Sequence, residues 1–302
     1  MCSNMLFWIK TQLSMGASYY NKLVLPMDKS IVAIVKGERG HMPVFKALDL
    51  IDYKSCLAGF SKVLIKVNFI CNDKWDSGAT TDPVVVEAII ERLRELPVEV
   101  FVVESDATMT NADKAFVATE MNEVCERNGV SFLNLRCVKE KVKIDIPNCE
   151  SLGSITVPRI VKESAIISAA KLKTHMATKV TLGMKNMFGL LPDKLKMKYH
   201  AKGISGVIVD INSVIKPALT VIDGFVGMEG RGPTGGTPVK MDLIIAGKDV
   251  VATDAVGARV MGFEPAEISH IRRAGAKGLG NIDDIEILGS KLEEVRQVFK
   301  RK

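Results

Sequence analysis

Aromatic residues make up only 6% of this 302-residue chain, and it holds no C-x-x-C pair, no concentrated basic stripe and no long apolar run. Each absence removes a class of function. Without C-x-x-C spacing, neither a zinc ribbon nor a ferredoxin-type iron–sulfur cluster run can be written. The excess of 41 Lys and Arg over 35 Asp and Glu is mild and spread along the chain, which argues against nucleic acid as a partner. No segment approaches the length of a transmembrane helix, so no membrane partner is expected either. The six cysteines, Cys2, Cys56, Cys71, Cys125, Cys137 and Cys149, are scattered, as expected for reduced thiols in the cytoplasm. Cys71 follows a strand in a polar loop and is the one thiol to test for reactivity.

Valine, isoleucine, alanine and leucine dominate instead, a mix suited to helices packed on a buried sheet. The first residues need separate treatment. Their apolar stretch Met5–Ile9 is shorter than a signal-peptide core. Residues 1–27 read as a poorly ordered extension, or as the product of an upstream start with Met27 as the functional one.

From Ser30 onward, short β-branched runs alternate with helical stretches. Strands are expected at Ile31–Lys36, Lys62–Val67, Val98–Glu104, Val130–Leu135, Ala165–Ala169, Leu219–Asp223, Met241–Ala246 and Ile285–Leu288. Helices are expected at Val44–Phe60, from Pro83 with Asp82 as its cap, and at Ala112–Asn128, Lys179–Phe188, Gly203–Ile215, Val250–Met261 and Lys291–Arg301. This rhythm predicts an α/β protein with a mostly parallel, doubly wound sheet and a small antiparallel excursion near residues 137–162. Two α/β halves, 28–164 and 165–302, sharing a cleft are the preferred arrangement. One continuous domain is the alternative.

In open parallel sheets, ligands bind at the carboxyl ends of strands. Four strand ends deliver polar groups here, the last at Asp223, where the glycine-rich loop begins. Lys66 and Asn68 follow the second strand, whose loop runs on to Thr81 and Asp82. Glu104 ends the third strand. Lys171, Lys173 and His175 follow the fifth, with Lys185 and Asn186 ten residues beyond His175. Lysines gathered at one strand end repel one another unless an anion, carboxylates or lowered pKa values relieve them. The pattern therefore favours an anionic small molecule. Lys171, Lys185, His175 and Glu104 are the catalytic candidates, and Lys66, Asn68, Thr81, Asp82, Lys173 and Asn186 the binding ones. Capping explains Thr81 and Asp82 equally well. Alanine at Lys171 or Lys185 is expected to abolish binding and leave the fold intact.

The segment Asp223–Pro238 packs six glycines and two prolines into sixteen residues. Such a loop can aim backbone N–H groups at an anion, with Gly230 and Gly232 as the candidates, or can be a plain turn. The identity of any cofactor is open. A divalent metal held by Asp223, Asp254 and Glu104 is one option, and a helix-start role for Asp254 is another. His41 and His270 are read as surface or helix residues, and His200 has no assigned role.

The strings VLIKVN, TTDPVVVEAI, KLKTHMATKVTLGMKNMFGLLP, IKPALTVIDGFVGMEGRGPTGGTPVK and AGKDVVATDAVGARVMGF resemble the family called domain of unknown function 362. This resemblance runs from about Ser30 to Gly280. It implies that Lys66, Asn68, Thr81, Asp82, Glu104, Lys171, Lys173, His175, Lys185, Asn186, His200, Asp223, Gly230, Gly232, Pro233 and Asp254 belong to the family pattern. Members are often fused to a ferredoxin-type module, which implies a separate ferredoxin-like partner for a chain that lacks one. A more distant likeness is to nickel-pincer lactate racemases. Three readings stay open: an enzyme acting on an anionic small molecule, a cofactor-binding or maturation protein working with an iron–sulfur partner, and a structural α/β module.

Overall fold

A computed structural model describes residues 29–301, so the expected extension at 1–27 and the Met27 start lie outside the described residues. The strands are β1 (Ser30–Lys36), β2 (Lys62–Lys66), β3 (Glu99–Glu104), β4 (Ser131–Asn134), β5 (Lys141–Asp145), β6 (Ser154–Pro158), β7 (Ala165–His175), β8 (Lys179–Thr181), β9 (Leu219–Glu229), β10 (Thr237–Gly247) and β11 (Ile285–Gly289). The longer helices are α1 (His41–Leu50), α2 (Pro83–Leu93), α3 (Ala112–Ala118) and α4 (Met121–Asn128). After the short α5 (Arg159–Glu163), α6 (Gly183–Asn186) and α7 (Met197–His200) come α8 (Ile204–Val214), α9 (Val250–Val260) and α10 (Ser269–Ala276), and one turn, α11 (Leu292–Val295), closes the series.

Nine strands form one sheet in the order β11-β1-β10-β9-β7-β2-β3-β4, with β8 paired to β7. β10 runs against both its neighbours and β8 against β7; every other pairing is parallel. One sheet thus runs through both 28–164 and 165–302, because β1 lies between β10 and β11. β5 and β6 form a separate antiparallel pair within the expected excursion.

Alternation along the strands feeds two apolar layers. Val63, Ile65, Ile167, Val221 and Ile244 face one way, against Val44 and Leu48 of α1 and Val86 and Ile89 of α2. Leu64, Leu172, Ile222 and Ile245 face the other, against Val207 and Ile211 of α8 and Val251 and Val256 of α9. Each fully buried Ile or Leu contributes about 1.5–3 kcal/mol, so the central strands are fixed from both sides.

Several expected boundaries move, each for a local reason. β7 and β9 each run eleven residues, so Lys171, Lys173 and His175 lie on a strand and most of the glycine-rich segment is a β9–β10 hairpin. Lys179–Phe188 is not one helix: Val180 and Thr181 pair with β7 before α6 begins. The expected helix 112–128 breaks at Glu120, which is left-handed at φ 63°, after Thr119 Oγ1 donates back to the Ala115 carbonyl at 2.8 Å. The helix expected over 44–60 stops at Leu50, and Asp52 turns the chain at φ 50°. Past Val295 the chain extends rather than coils, since Gln297 N donates to Val260 O, Phe299 N donates to Met261 O, and the Phe299 ring is buried. Among the described residues no helix is long and apolar enough to cross a membrane.

Candidate functional site

A cavity of about 300 Å³ opens where β2, β3 and β7 end, roofed by the segment from α6 to α7. Its lining includes Lys66, Asn68, Glu104, Ser105, His175, Lys185, Asn186, Phe188, Gly189, Lys196, His200 and Pro233. Three lysines thus face one carboxylate.

The donors can be counted one by one. Lys66 Nζ spends all three hydrogens, on Glu104 Oε2 at 2.8 Å, on the Val67 carbonyl at 2.6 Å and on Asn186 Oδ1 at 3.3 Å. Glu104 accepts in addition from Phe69 N and Ser105 N, so its oxygens are occupied. Asn186 donates to the Lys66 carbonyl and to Ser168 Oγ. Lys173, just behind the cavity wall, spends its hydrogens on Asn68 Oδ1 and on the Ala79 and Pro233 carbonyls. Lys196 donates to Ser105 Oγ at 2.9 Å and to the Leu191 carbonyl at 2.5 Å, which leaves one hydrogen. Asn68 Nδ2 donates once, to Asn186 Oδ1, and also keeps one.

Lys185 is different. Among the described residues its ammonium makes no hydrogen bond or ion pair, and it lies 5.9 Å from the Phe188 ring centre. Burial, with repulsion from Lys66, pulls its pKa down to about 8. Burial likewise holds Lys196 at about 8 and Lys173 at about 7, and it lowers Lys66 too, against the pull of Glu104.

His175 accepts a hydrogen bond from the Ala177 backbone on Nδ1, at 3.0 Å. Burial and the neighbouring cations Lys185 and Lys173 push its pKa down to about 2. The ring is therefore neutral with its proton on Nε2, a donor rather than a base. His200 sits edge-on to Phe188 at 6.2 Å, its pKa also lowered by burial and Lys185.

Other expected site residues form a second, closed network beneath the cavity. Lys171 donates to Asp223 Oδ2, Asp223 also accepts from Asp82 N, and Asp82 pairs with Arg39 in a two-pronged contact at 2.7 and 2.8 Å. Asp82 accepts from Val84 N as the α2 cap, as its position before Pro83 predicts. Thr81 Oγ1 accepts from Asn68 N and donates to the Ala169 carbonyl, fixing Asn68. None of Lys171, Asp223, Asp82 and Thr81 lines the cavity.

Nor do the three carboxylates considered for a metal meet. Asp254 is fully buried within α9 and accepts from Gly183 N and Met184 N, on the Thr220 side of β9. Asp223 is three residues further along β9, on the opposite face of the sheet. Glu104 is held by Lys66. Among the described residues no group of three or more His, Cys, Asp and Glu is placed to hold a metal ion. Asp254 instead anchors the turn that carries Lys185, and burial raises its pKa to about 8.

Gly230 and Gly232 shape the hairpin beside the site. Gly230 has φ +76°, and a Cβ on Gly232 would meet the Thr174 carbonyl oxygen at 2.1 Å. Neither lines the cavity, although Pro233 and Thr234 do. Burial pushes the Cys71 thiol up to about 11, so it is not activated. His270, expected on a surface or helix, is the second residue of α10 and is fully buried.

Lys196, Ser105, Gly189 and Arg39 were not singled out from sequence as site residues. Ser105 does follow Glu104 at a strand end. Lys196 lies in DKLKMK, a run that looks like a solvated face.

Among proteins of known sequence, thylakoid-associated protein sll1697 of Synechocystis sp. (strain ATCC 27184 / PCC 6803 / Kazusa) is 29% identical over 225 residues, 68% of this chain. The chain spans 65% of that relative's length. No solved structure matches. The family described as domain of unknown function (DUF362) matches residues 63–259, which include every cavity-lining lysine and histidine named above. The chain belongs to the DUF362 family.

Proposed function

We propose that this chain is an enzyme acting on an anionic small molecule held in the cavity, with Lys185 as the principal contact. The observation that carries this reading is the unpaired Lys185 ammonium in a cavity where Glu104, the one lining carboxylate, is already spent on Lys66. A half-buried charge without a partner is costly, and a bound anion relieves that cost. The unspent hydrogens of Lys196 and Asn68 and the Nε2–H of His175 complete a donor set for carboxylate or phosphate oxygens. With its pKa near 8, Lys185 is an ammonium in roughly nine molecules in ten at pH 7, the form that holds the anion, and the neutral remainder is the form able to accept a proton. Titration calorimetry with lactate, pyruvate and inorganic phosphate tests the reading. At least one anion should bind, and Lys185→Ala should weaken it tenfold or more. Absence of binding by all three, or unchanged affinity in the variant, refutes it.

The described cysteines are all unpaired, which supports a reducing compartment such as the cytoplasm. The cavity mouth adds a second reading that departs from the expectation of no membrane partner. Met109 and Met197 line the mouth at 93% and 63% exposure, and Leu195, two residues before Met197, is 69% exposed. Lys194, Lys198 and Lys202 are exposed on the same segment. Apolar tips among lysines suit the surface of an anionic bilayer, and the Synechocystis relative is named for its thylakoid association. Sedimentation with anionic vesicles, lost in a Leu195→Glu/Met197→Glu variant, tests this; no sedimentation overturns it.

A further inference from the structure

The donor count leaves a chemical asymmetry among the cavity lysines. Lys66 and Lys173 have no hydrogen left to give, and Lys196 has one. Their nitrogens are pinned by carbonyls, amides, a hydroxyl or a carboxylate. Only Lys185 combines a cavity-facing nitrogen with the absence of any hydrogen bond or ion pair among the described residues. Its backbone is nevertheless rigidly placed, because Asp254 grips the N–H groups of Gly183 and Met184 in the same short turn. A fixed backbone under an untethered amine is the arrangement a nucleophile requires. A lysine serving only to balance charge would sit against the cavity's carboxylate, and here that place belongs to Lys66.

We propose that Lys185 forms an imine with a short 2-oxo acid, a molecule that places a carbonyl carbon next to the carboxylate bound in the cavity. The proposal rests on the anion-binding reading above and names its substrate class. The cavity's volume, at the small end for ligand sites, suits such a compact molecule. The carboxylate takes the unspent hydrogens of Lys196 and Asn68 and the Nε2–H of His175. The lone pair of neutral Lys185 Nζ attacks the carbonyl carbon, the C=O π electrons move to oxygen, and the oxygen takes up the proton that the nitrogen sheds. The carbinolamine then loses that oxygen as water with a proton taken from solvent, the nitrogen lone pair forms the C=N bond, and the nitrogen returns a proton to solvent. Amine and carbonyl give imine and water, so no oxidant or reductant is consumed. Repulsion from Lys66 favours the neutral amine that starts the sequence.

The test is reductive trapping with pyruvate and sodium borohydride, read by intact mass and peptide mapping, with lactate as the control that lacks a carbonyl. Wild type should gain one reduced pyruvate unit, mapped to Lys185, and none with lactate. Lys185→Arg, which keeps the charge, should lose at least nine-tenths of the adduct while circular dichroism shows an unchanged fold. An adduct spread over surface lysines, or retained in Lys185→Arg, overturns the proposal. So does the absence of adduct when calorimetry shows pyruvate bound, and in that case the anion site itself survives. Failure of lactate, pyruvate and phosphate alike to bind refutes both readings together.

Discussion

Lys171 donates to Asp223 Oδ2 at 2.7 Å across the paired strands β7 and β9, and neither side chain has any solvent exposure. The pair is closed rather than open to a ligand. Asp223 is further held by the backbone N–H groups of Asp82 and Phe225.

Lys171→Ala should therefore unfold the protein more readily rather than abolish ligand binding alone, which reverses the sequence expectation. Breaking a buried pair leaves an uncompensated charge, at a cost of about 3–5 kcal/mol. Chemical denaturation would show it. A variant of native stability would contradict this role.

Gly189 predicts a close-approach defect. A Cβ there would come within 2.4 Å of Lys66 Nζ and 2.5 Å of Glu104 Oε1. Both side chains are buried and paired, so neither can swing aside freely. Gly189→Ala should cost about 1–3 kcal/mol and weaken anion binding, because the displaced pair forms the cavity wall. Calorimetry on the variant checks both.

Lys185 should cost the unliganded protein stability. Its pKa is lower folded than unfolded, so the folded state binds fewer protons between about pH 8 and 10.5 and stability rises with pH across that window. At neutral pH the penalty is fully present. Lys185→Met should remove it and raise the melting temperature by a few degrees while anion binding is lost. A lower melting temperature would mean that Lys185 has a stabilising partner.

Affinity for lactate should be flat at neutral pH and fall above about pH 8, approaching tenfold per pH unit, as the Lys185 ammonium loses its proton. Lys185→Ala should abolish the dependence. The imine step runs the other way, since trapping of pyruvate needs the neutral amine and should accelerate over the same range.

Much of this was legible in the chain. Alternating β-branched runs and helices predict the sheet, and the strand-end rule brings Lys66, Asn68, Glu104, His175, Lys185 and Asn186 to one cavity. The misplacements have a common cause. The sequence pattern ends the fifth strand at Ala169, before Lys171 and Lys173, yet each ammonium finds fixed partners and the strand continues through them. Asp254 and Asp223 looked alike in sequence, but the sheet puts them on opposite faces. Lys196 was hidden in a lysine-rich run that reads as solvated surface, and its inward turn depends on Ser105 and the Leu191 carbonyl, far away and nearby in sequence respectively. Such pairings are tertiary, and no local pattern announces them.

The most direct measurement is a crystal structure of the protein soaked with lactate. The account predicts the carboxylate within hydrogen-bond distance of Lys185 Nζ, and contacting Lys196 and His175 Nε2. A carboxylate bound elsewhere, or density at Lys185 explained by a protein side chain that closes on it, would contradict the central claim.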